Sequence, residues 1–274
     1  GLGDVYKRQR LQALVSPFVL RRVKEDVVAD LPEKIEDTVM AQLTGEQRKL
    51  YLANQDRIAQ QVQHREASEF KKDKLKVLAE LTKLRQICCD PHLHYEDYKA
   101  GSAKLDACME LVHGALDGGH HILLFSQFTG MLDIIGKRLV KEDIAFLKLT
   151  GASSKESRAK MVAQFQAGEV PVFLISLKAG GVGLNLTAAD VVIHYDPWWN
   201  VAAQDQATDR AHRIGQQHTV TVYKLIAKDT IEERIMQMQE SKRDLVNSVL
   251  GGDGISSALF TREDVLALLG GDGR

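Results

Sequence analysis

The chain has 274 residues, of which 44% are hydrophobic and 27% are charged, and its formal net charge is −1. These values are typical of a globular protein with a core large enough to fold independently. The near-neutral balance excludes a global basic field, so nucleic-acid binding would have to come from a local patch.

The first part of the chain predicts a mostly helical, polar segment over residues 10–98. Leucines recur at near-helical spacing between Leu75 and Leu84, and Pro91 ends the segment because proline cannot continue a helix. Residues 1–9 connect poorly to this pattern, which makes them a candidate foreign leader. The remainder of the segment is expected to act as a helical brace or insertion.

From Ser102 onward, helices alternate with short apolar runs, and residues 102–250 are predicted to form one domain. Ser102 is a predicted helix cap, and Ser153 with Glu156 forms a capping-box pattern. Five runs rich in branched apolar side chains occupy residues 121–126, 145–149, 172–176, 191–196 and 219–227. Such runs, separated by helices or long loops, predict an α/β fold with a parallel sheet and helices on both faces. Ligands of these sheets bind in loops beyond the carboxyl ends of the strands.

The C-terminal part begins with a predicted helix after Thr230. Gly251 to Gly254 (GGDG) indicate a flexible break, and Thr261 to Leu269 predict a short capped helix. Residues 251–274 are therefore expected to form a linker and a C-terminal helix.

Two polar clusters have the residue types that bind phosphate. Gly180, Gly181 and Gly183 follow an apolar strand and would allow a ligand close to the backbone, although a tight turn is the explanation that the glycines alone favour. Arg210 and Arg213 are three residues apart and share one face if the segment is helical. Two guanidinium groups on one face suit a polyphosphate, and a solvated charged face is the alternative.

Two further clusters invite a functional reading. Trp198 and Trp199 follow a strand in the sequence DPWWN, where a tryptophan either anchors the core or contacts nucleic acid. Cys88 and Cys89 lie near His92 and His94, but this spacing is too compressed for a usual zinc site. We expect a helix end here and no metal site. The cysteines, including Cys108, form no disulfide framework, which favours a reducing compartment.

The motifs of helicase-type phosphate binding are incomplete in this sequence. It contains no G-x-x-x-x-G-K-[ST] phosphate loop and no Asp-Glu dipeptide. We therefore expect that this chain alone does not assemble a phosphate cradle, a metal and an attacking water.

Taken together, the motifs resemble the C-terminal half of the Swi/Snf family of superfamily-two helicase-like DNA translocases, of the bacterial or archaeal type. The resemblance rests on segments in the family's order: SPFVLRRVKEDVVADLPEK (16–34), LTGEQRKLY (43–51), LRQICCDPHL (84–93), LLFSQFTGMLDII (123–135), LTGASSKESRAKMVAQFQ (149–166), SLKAGGVGLNLTAADVVIHYDPWWN (176–200) and QATDRAHRIGQ (206–216). The last two, at this separation, are highly specific.

The resemblance implies a RecA-like fold, the second lobe of a P-loop NTPase-type motor, and a role for particular residues. Arg210 and Arg213 would be arginine fingers that act on nucleotide held by a first lobe, and Asp209 would orient them. Gly181, Gly183 and Gln206 would line the nucleotide cleft. The DNA-binding residues would be Ser126, Gln127, Thr150, Gly151, Lys178 and Trp199, with Trp199 pressing on the duplex.

The resemblance also implies ATP and Mg²⁺ as cofactors, bound mainly by the first lobe of the same protein, which this chain lacks. Double-stranded DNA would be the partner, and a bacterial source would make the protein cytoplasmic and nucleoid-associated, with no membrane contact. The fragment alone is expected to be inactive. Two alternatives remain: a lobe that binds DNA or protein without catalysis, and a relative that remodels RNA polymerase or other DNA-bound proteins.

Overall fold

The computed structural model describes residues 31–64, 67–177, 179, 183–239 and 261–270, with side chains left out for residues 67–69, 71 and 72. The candidate leader at residues 1–9 and the glycine-rich break at residues 251–254 lie outside the described residues. The division of the chain into a brace, a central lobe and a C-terminal linker stays a prediction.

The described residues form six strands and eight helices, together with a 3-10 turn at Pro91–Leu93. The strands are β1 (Lys34–Gln42), β2 (Ile122–Ser126), β3 (Phe146–Leu149), β4 (Val172–Ser176), β5 (Val191–His194) and β6 (Val220–Lys228). The helices are α1 (Gly45–Gln63), α2 (Ala67–Cys89), α3 (Ala103–Asp117), α4 (Thr129–Lys141), α5 (Lys155–Gln166), α6 (Val201–Thr208), α7 (described over residues 231–239) and α8 (Arg262–Leu268).

The six strands form one sheet in the order β1-β6-β5-β2-β4-β3, and every neighbouring pair is parallel. Alternate side chains of each strand point to opposite faces, so β2 sends Leu124 to one face and Phe125 to the other. The helices α3 and α4 cover the first face, and α5 and α6 cover the second. The predicted parallel α/β fold with helices on both faces is confirmed.

Strand β1 is a sixth strand beyond the five predicted, and it lies in the segment predicted to be mostly helical, whose other described elements are α1, α2 and the 3-10 turn. Its nine residues pair with β6, from Lys34 opposite Val220 to Gln42 opposite Lys228. The strand lies at the edge of the sheet and its side chains are mostly exposed, so its sequence KIEDTVMAQ contains no apolar run. Pairing with a distant strand, rather than local pattern, decides its conformation.

The capping predictions are confirmed at two helices and shifted at a third. The Ser102 hydroxyl accepts a hydrogen bond from Leu105 N, and Thr261 forms a full capping box with Asp264. At α5, however, the cap is Ser154, whose hydroxyl accepts from Ser157 N. The predicted cap, Ser153, instead accepts from Thr150 N at 3.2 Å and closes the turn that follows β3.

Besides the apolar side chains packed on the two faces of the sheet, a separate hydrophobic core lies outside the sheet. It brings together helices from the first and last parts of the described chain. The helices α1, α2, α7 and α8 pack their apolar side chains together. The buried hydroxyl of Tyr51 accepts from Ile231 N at 2.7 Å, and Gln55 Nε2 donates to Leu269 O at 2.6 Å. The predicted helical brace and the C-terminal helix therefore share one hydrophobic core.

A fully buried ion pair connects this helical core to the sheet domain. Lys104, in the first turn of α3, donates to both carboxylate oxygens of Glu232 on α7, at 3.0 and 2.7 Å. Both side chains are completely buried, and Glu232 also accepts from Ala227 N at 2.9 Å. Burial opposes the charged form of Lys104, but the attraction of Glu232 outweighs it, and the pKa of Lys104 is raised.

Removing one charge of this pair is expected to destabilise the fold by about 3 to 5 kcal/mol, because the other charge stays buried without compensation. Glu232→Gln is the variant that leaves Lys104 in this state. The double change Lys104→Met with Glu232→Leu is expected to recover most of the loss, since it removes both charges. Urea unfolding followed by far-ultraviolet circular dichroism measures the free energy of unfolding.

The exposed pair of Lys148 with Asp133 is the matched control. Lys148→Met is expected to change the free energy of unfolding by less than about 1 kcal/mol, as for other exposed pairs. Equal effects of Glu232→Gln and Lys148→Met would show that burial of the Lys104 pair carries no special cost.

Candidate functional site

The strand order brings four of the predicted loops to one edge of the sheet. Because all strands are parallel, the carboxyl ends of β5, β2, β4 and β3 follow one another along that edge. The segments that leave them begin at Tyr195, Gln127, Leu177 and Thr150. Residues far apart in sequence are therefore neighbours along one rim, which we call the carboxyl rim.

Asp196 organises the first two of these loops. One carboxylate oxygen accepts from Ser126 Oγ at 2.5 Å. The other accepts from Gln127 through the side-chain Nε2 at 2.5 Å and the backbone N at 3.3 Å. Ser126 is fully buried, so its hydroxyl binds Asp196 from inside the protein, whereas the side chain of Gln127 is half-buried. Asp196 was not among the predicted site residues, although it is the last residue of the predicted apolar run 191–196.

The two tryptophans of the DPWWN sequence have different surroundings. Trp198 packs against the core on the α5 and α6 face of the sheet. Trp199 packs against the helical core, is half-buried, and its ring centroid lies 5.4 Å from the guanidinium carbon of Arg85. At the far end of the rim, Thr150 is half-buried and Gly151 is exposed in the turn after β3. Lys178 lies outside the described residues.

Beneath the rim, His194 ends β5 as a buried neutral base. Its ring stacks on Phe125 with centroids 5.5 Å apart, and Nε2 lies 2.9 Å from the hydroxyl of Thr208 on α6. Burial, with a smaller contribution from the positive charge of Lys224, lowers the pKa of His194 to about 3, although Glu36 opposes the shift. The imidazole therefore stays neutral at physiological pH and fixes α6 against the sheet.

His194 is expected to make the fold sensitive to acid. The unfolded chain takes up a proton at the ordinary histidine pKa of 6.5, whereas the folded chain does so only near pH 3. The stability contributed by neutral His194 is thus complete above the ordinary pKa and falls with pH below it, by up to about 1.4 kcal/mol per pH unit. Urea unfolding of wild type and His194→Gln at pH 7, 6 and 5 measures this dependence.

As pH falls from 7 to 5, the free energy of unfolding is expected to decrease more for wild type than for His194→Gln. The control is His218→Gln, which changes an exposed histidine just before β6. A difference that stays constant from pH 7 to 5 for His194→Gln would contradict the buried-base interpretation.

The residues that follow the predicted glycine segment, Leu184 and Leu186, lie against the arginine segment, which was predicted separately. Leu186 N donates to Arg210 O at 3.0 Å, and an amino group of Arg213 donates to Leu184 O at 3.4 Å. From the other side, Arg158 on α5 donates to Ala179 O at 3.3 Å. These bonds hold Ala179, Leu184 and Leu186, which are described residues between β4 and β5, against the arginines.

Gln216, which was not among the predicted site residues, is the main connection between these segments. Its buried amide donates to the carbonyls of Thr187, Ala189 and Ala211 at 3.2, 2.7 and 3.1 Å. The turn that brings it there needs Gly215, whose φ of +103° is a conformation that side chains disfavour. The glycine and glutamine at the end of QATDRAHRIGQ thus hold the arginines in place.

The two arginines differ in environment. Arg210 is 8% exposed, and no described residue accepts a hydrogen bond from its Nε. Burial lowers the pKa of Arg210, the positive charge of Arg213 lowers it further, and Asp209 partly offsets both. Arg213 is exposed. Two adjacent cations, one of them with a buried donor lacking an acceptor, form a site that an anion would complete.

The remaining predicted nucleotide-binding residues surround this pair only in part. Gln206 is exposed on α6, four residues before Arg210. Gly183 is also exposed, with a φ of +32°. Gly181 lies outside the described residues. Gly183 directly precedes Leu184, whose carbonyl accepts from Arg213, whereas Gln206 lies on the exposed surface of α6.

The cysteine and histidine cluster forms the end of a helix. Cys88 and Cys89 close α2 and are fully buried, and burial raises the pKa of each thiol. Asp90 caps the following 3-10 turn through His92 N at 2.8 Å. Over the described part of the chain, no three His, Cys, Asp or Glu side chains are grouped to hold a metal ion. None of the described helices is long and apolar enough to cross a membrane.

Two family models match this chain. The helicase conserved C-terminal domain matches residues 103–215, and the SNF2-related domain matches residues 3–93. An uncharacterized ATP-dependent helicase of Mycoplasma pneumoniae is 41% identical over 260 residues, which cover 94% of this chain and 25% of that protein. The chain thus spans about a quarter of the length of such curated relatives.

Solved structures show the same relationship. The C-terminal domain of the Sulfolobus solfataricus SWI2/SNF2 ATPase is 32% identical, with a TM-score of 0.70 and coverage of 86% of this chain and 98% of that chain. The core of that ATPase in complex with double-stranded DNA is 36% identical, with a TM-score of 0.72 and coverage of 95% of this chain and 55% of that chain.

The fold and the site together define a RecA-like α/β domain of the helicase C-terminal type. The chain belongs to the SWI2/SNF2 family of ATPases, and its described fold corresponds to the C-terminal domain of that family. The resemblance predicted from the sequence motifs is confirmed.

Proposed function

We propose that this chain is the C-terminal motor lobe of an ATP-dependent translocase or remodeller that acts on double-stranded DNA. In this proposal Arg210 and Arg213 complete an ATP site whose phosphate loop and magnesium ligands belong to a first lobe. Support comes from the family, whose ATPase core has been solved in complex with double-stranded DNA. This chain matches 55% of that core, which leaves room for a further lobe.

The observation that carries the proposal is the arginine pair beside the glycine segment. The buried Nε of Arg210 has no acceptor among the described residues, and the nearby charge of Arg213 opposes its protonated form. A polyphosphate would supply both the missing acceptor and the missing negative charge. A merely solvated charged face would need neither a buried guanidinium nor a glutamine that fixes the adjoining segment.

Within such a site the residues of this chain would bind and orient the nucleotide. Arg213 would present its exposed guanidinium to the phosphate that is transferred, and Arg210 would neutralise charge from a buried position. Gly183, together with Gly181 and Gln206, would line the cleft. Bound Mg²⁺ would neutralise phosphate charge, and its ligands would come from the first lobe.

The carboxyl rim is the proposed DNA-contacting surface. Gln127, Thr150, Gly151 and Trp199 would reach the duplex with Lys178, and Ser126 would act from below through Asp196. Hydroxyl and backbone donors suit the phosphates of DNA, which fix register without reading sequence. A motor of this kind needs contacts that tolerate any sequence as it moves.

Arg213→Ala, in a protein that joins this chain to its first lobe, tests the arginine assignment. DNA-stimulated ATP hydrolysis is expected to fall about a thousandfold or more, because an arginine finger stabilises charge that develops during phosphoryl transfer. The affinity for ATP is expected to change little. Steady-state hydrolysis with saturating duplex DNA and equilibrium binding of a fluorescent ATP analogue measure the two effects.

The matched control is Arg138→Ala, which removes an arginine on α4 that pairs with Glu142 at the surface. Hydrolysis by this variant is expected to equal that of wild type. Near-normal turnover by Arg213→Ala would reject the arginine-finger role. DNA binding without hydrolysis in the wild-type protein would instead favour a binding lobe without catalysis.

A further inference from the structure

Arg85 is a buried arginine that neither the arginine site nor the predicted DNA contacts include. It lies on α2, four residues before the end of the helix, and is 2% exposed. Within the described ranges, no carboxylate lies within ion-pair distance of its guanidinium group. Burial of a cation without a carboxylate is costly, so its other contacts must hold it.

Those contacts all belong to the two loops that leave β2 and β5. One amino group donates to Gln127 Oε1 at 3.1 Å, and the other donates to Pro197 O. The guanidinium carbon lies 5.7 Å from the ring centroid of Phe128 and 5.4 Å from that of Trp199. Aromatic faces and carbonyl oxygens offer partial negative charge to a cation that has lost its water.

Arg85 thereby extends the Asp196 network to a helix outside the sheet. Gln127 accepts from Arg85 through its side-chain oxygen and donates to Asp196 through its nitrogen, so its amide orientation is fixed at both ends. Pro197 O also accepts from Gln127 Nε2, at 3.3 Å. A single planar guanidinium group sets the position of Gln127 and Trp199 relative to α2.

We infer that Arg85 is a positioning residue for duplex DNA, which transmits the placement of the helical core to the carboxyl rim. This inference rests on the proposed function, because it assigns the means by which the proposed DNA contacts are held. Arg85 is too buried to meet the duplex itself. Its effect is exerted through the amide of Gln127 and the ring of Trp199.

The test measures ATP hydrolysis as a function of duplex concentration for the two-lobed protein that contains this chain. A 40-base-pair duplex of mixed sequence, about four helical turns, is the probe. Arg85→Met keeps most of the side-chain volume and removes the donors. It is expected to raise the duplex concentration for half-maximal stimulation about tenfold, while the maximal rate and the KM for ATP change much less.

Arg85→Lys separates positioning from folding. Lysine keeps the charge over the two rings and one donor but loses the planar fork, so its half-maximal duplex concentration is expected to lie between those of wild type and Arg85→Met. The matched control, Arg57→Met, removes a partly exposed arginine of the same helical core that pairs with Glu80. It is expected to leave the half-maximal duplex concentration unchanged.

A purely structural role gives a different result. Misfolding lowers the maximal rate in proportion to the active fraction but leaves the half-maximal duplex concentration as it is in wild type. If both Arg85 variants give that result, the inference is overturned. Failure of the proposed function is distinct, since the wild-type protein would then show no stimulation by duplex DNA at all. The inference is supported if duplex DNA stimulates wild type, if Arg85→Met needs a higher duplex concentration for half-maximal stimulation, and if Arg85→Lys lies between the two.

Discussion

The parallel alignment of all six strands is the constraint on which the proposed sites depend. Because all neighbouring strands are parallel, each connection must run back from the end of one strand to the start of the next. The carboxyl ends of β5, β2, β4 and β3 therefore lie along one rim. Asp196 can bind Ser126 and Gln127 only because β5 and β2 are adjacent and in register, with His194 opposite Phe125. The same returns bring the segment before β5 against the arginine segment before β6.

Buried charge is used in three different ways in this molecule. Lys104 is compensated by Glu232 and joins the helical core to the sheet domain. Arg85 is held by carbonyl oxygens and aromatic rings and fixes two loops. Arg210 keeps a buried donor without an acceptor among the described residues, beside a second cation. Lys104 is neutralised within the chain. Arg85 is held by its other contacts, and its Nε also has no acceptor among the described residues. Arg210 differs because a second cation, Arg213, opposes its charge, so an anion from outside would complete that site.

The fold was predictable where local pattern and tertiary environment agree. Buried strands such as Ile122–Ser126 and Val172–Ser176 form continuous apolar runs, and Ser102 caps its helix by a local hydrogen bond. Strand β1 was missed because its exposed edge position leaves no apolar run. The motifs predicted Arg210 and Arg213 as candidate site residues, but the contacts of Arg85, Asp196 and Gln216 depend on strand order and long-range pairing, which spacing along the chain does not reveal.

We propose that the arginine pair of this chain completes an ATP site that another lobe begins. The most direct measurement is ATP hydrolysis, with and without duplex DNA, by this chain alone and by a protein that joins it to the first lobe. We expect no turnover by this chain alone and DNA-stimulated turnover by the joined protein. Turnover by this chain alone would rule out the shared site, because that result requires a complete phosphate site within these residues.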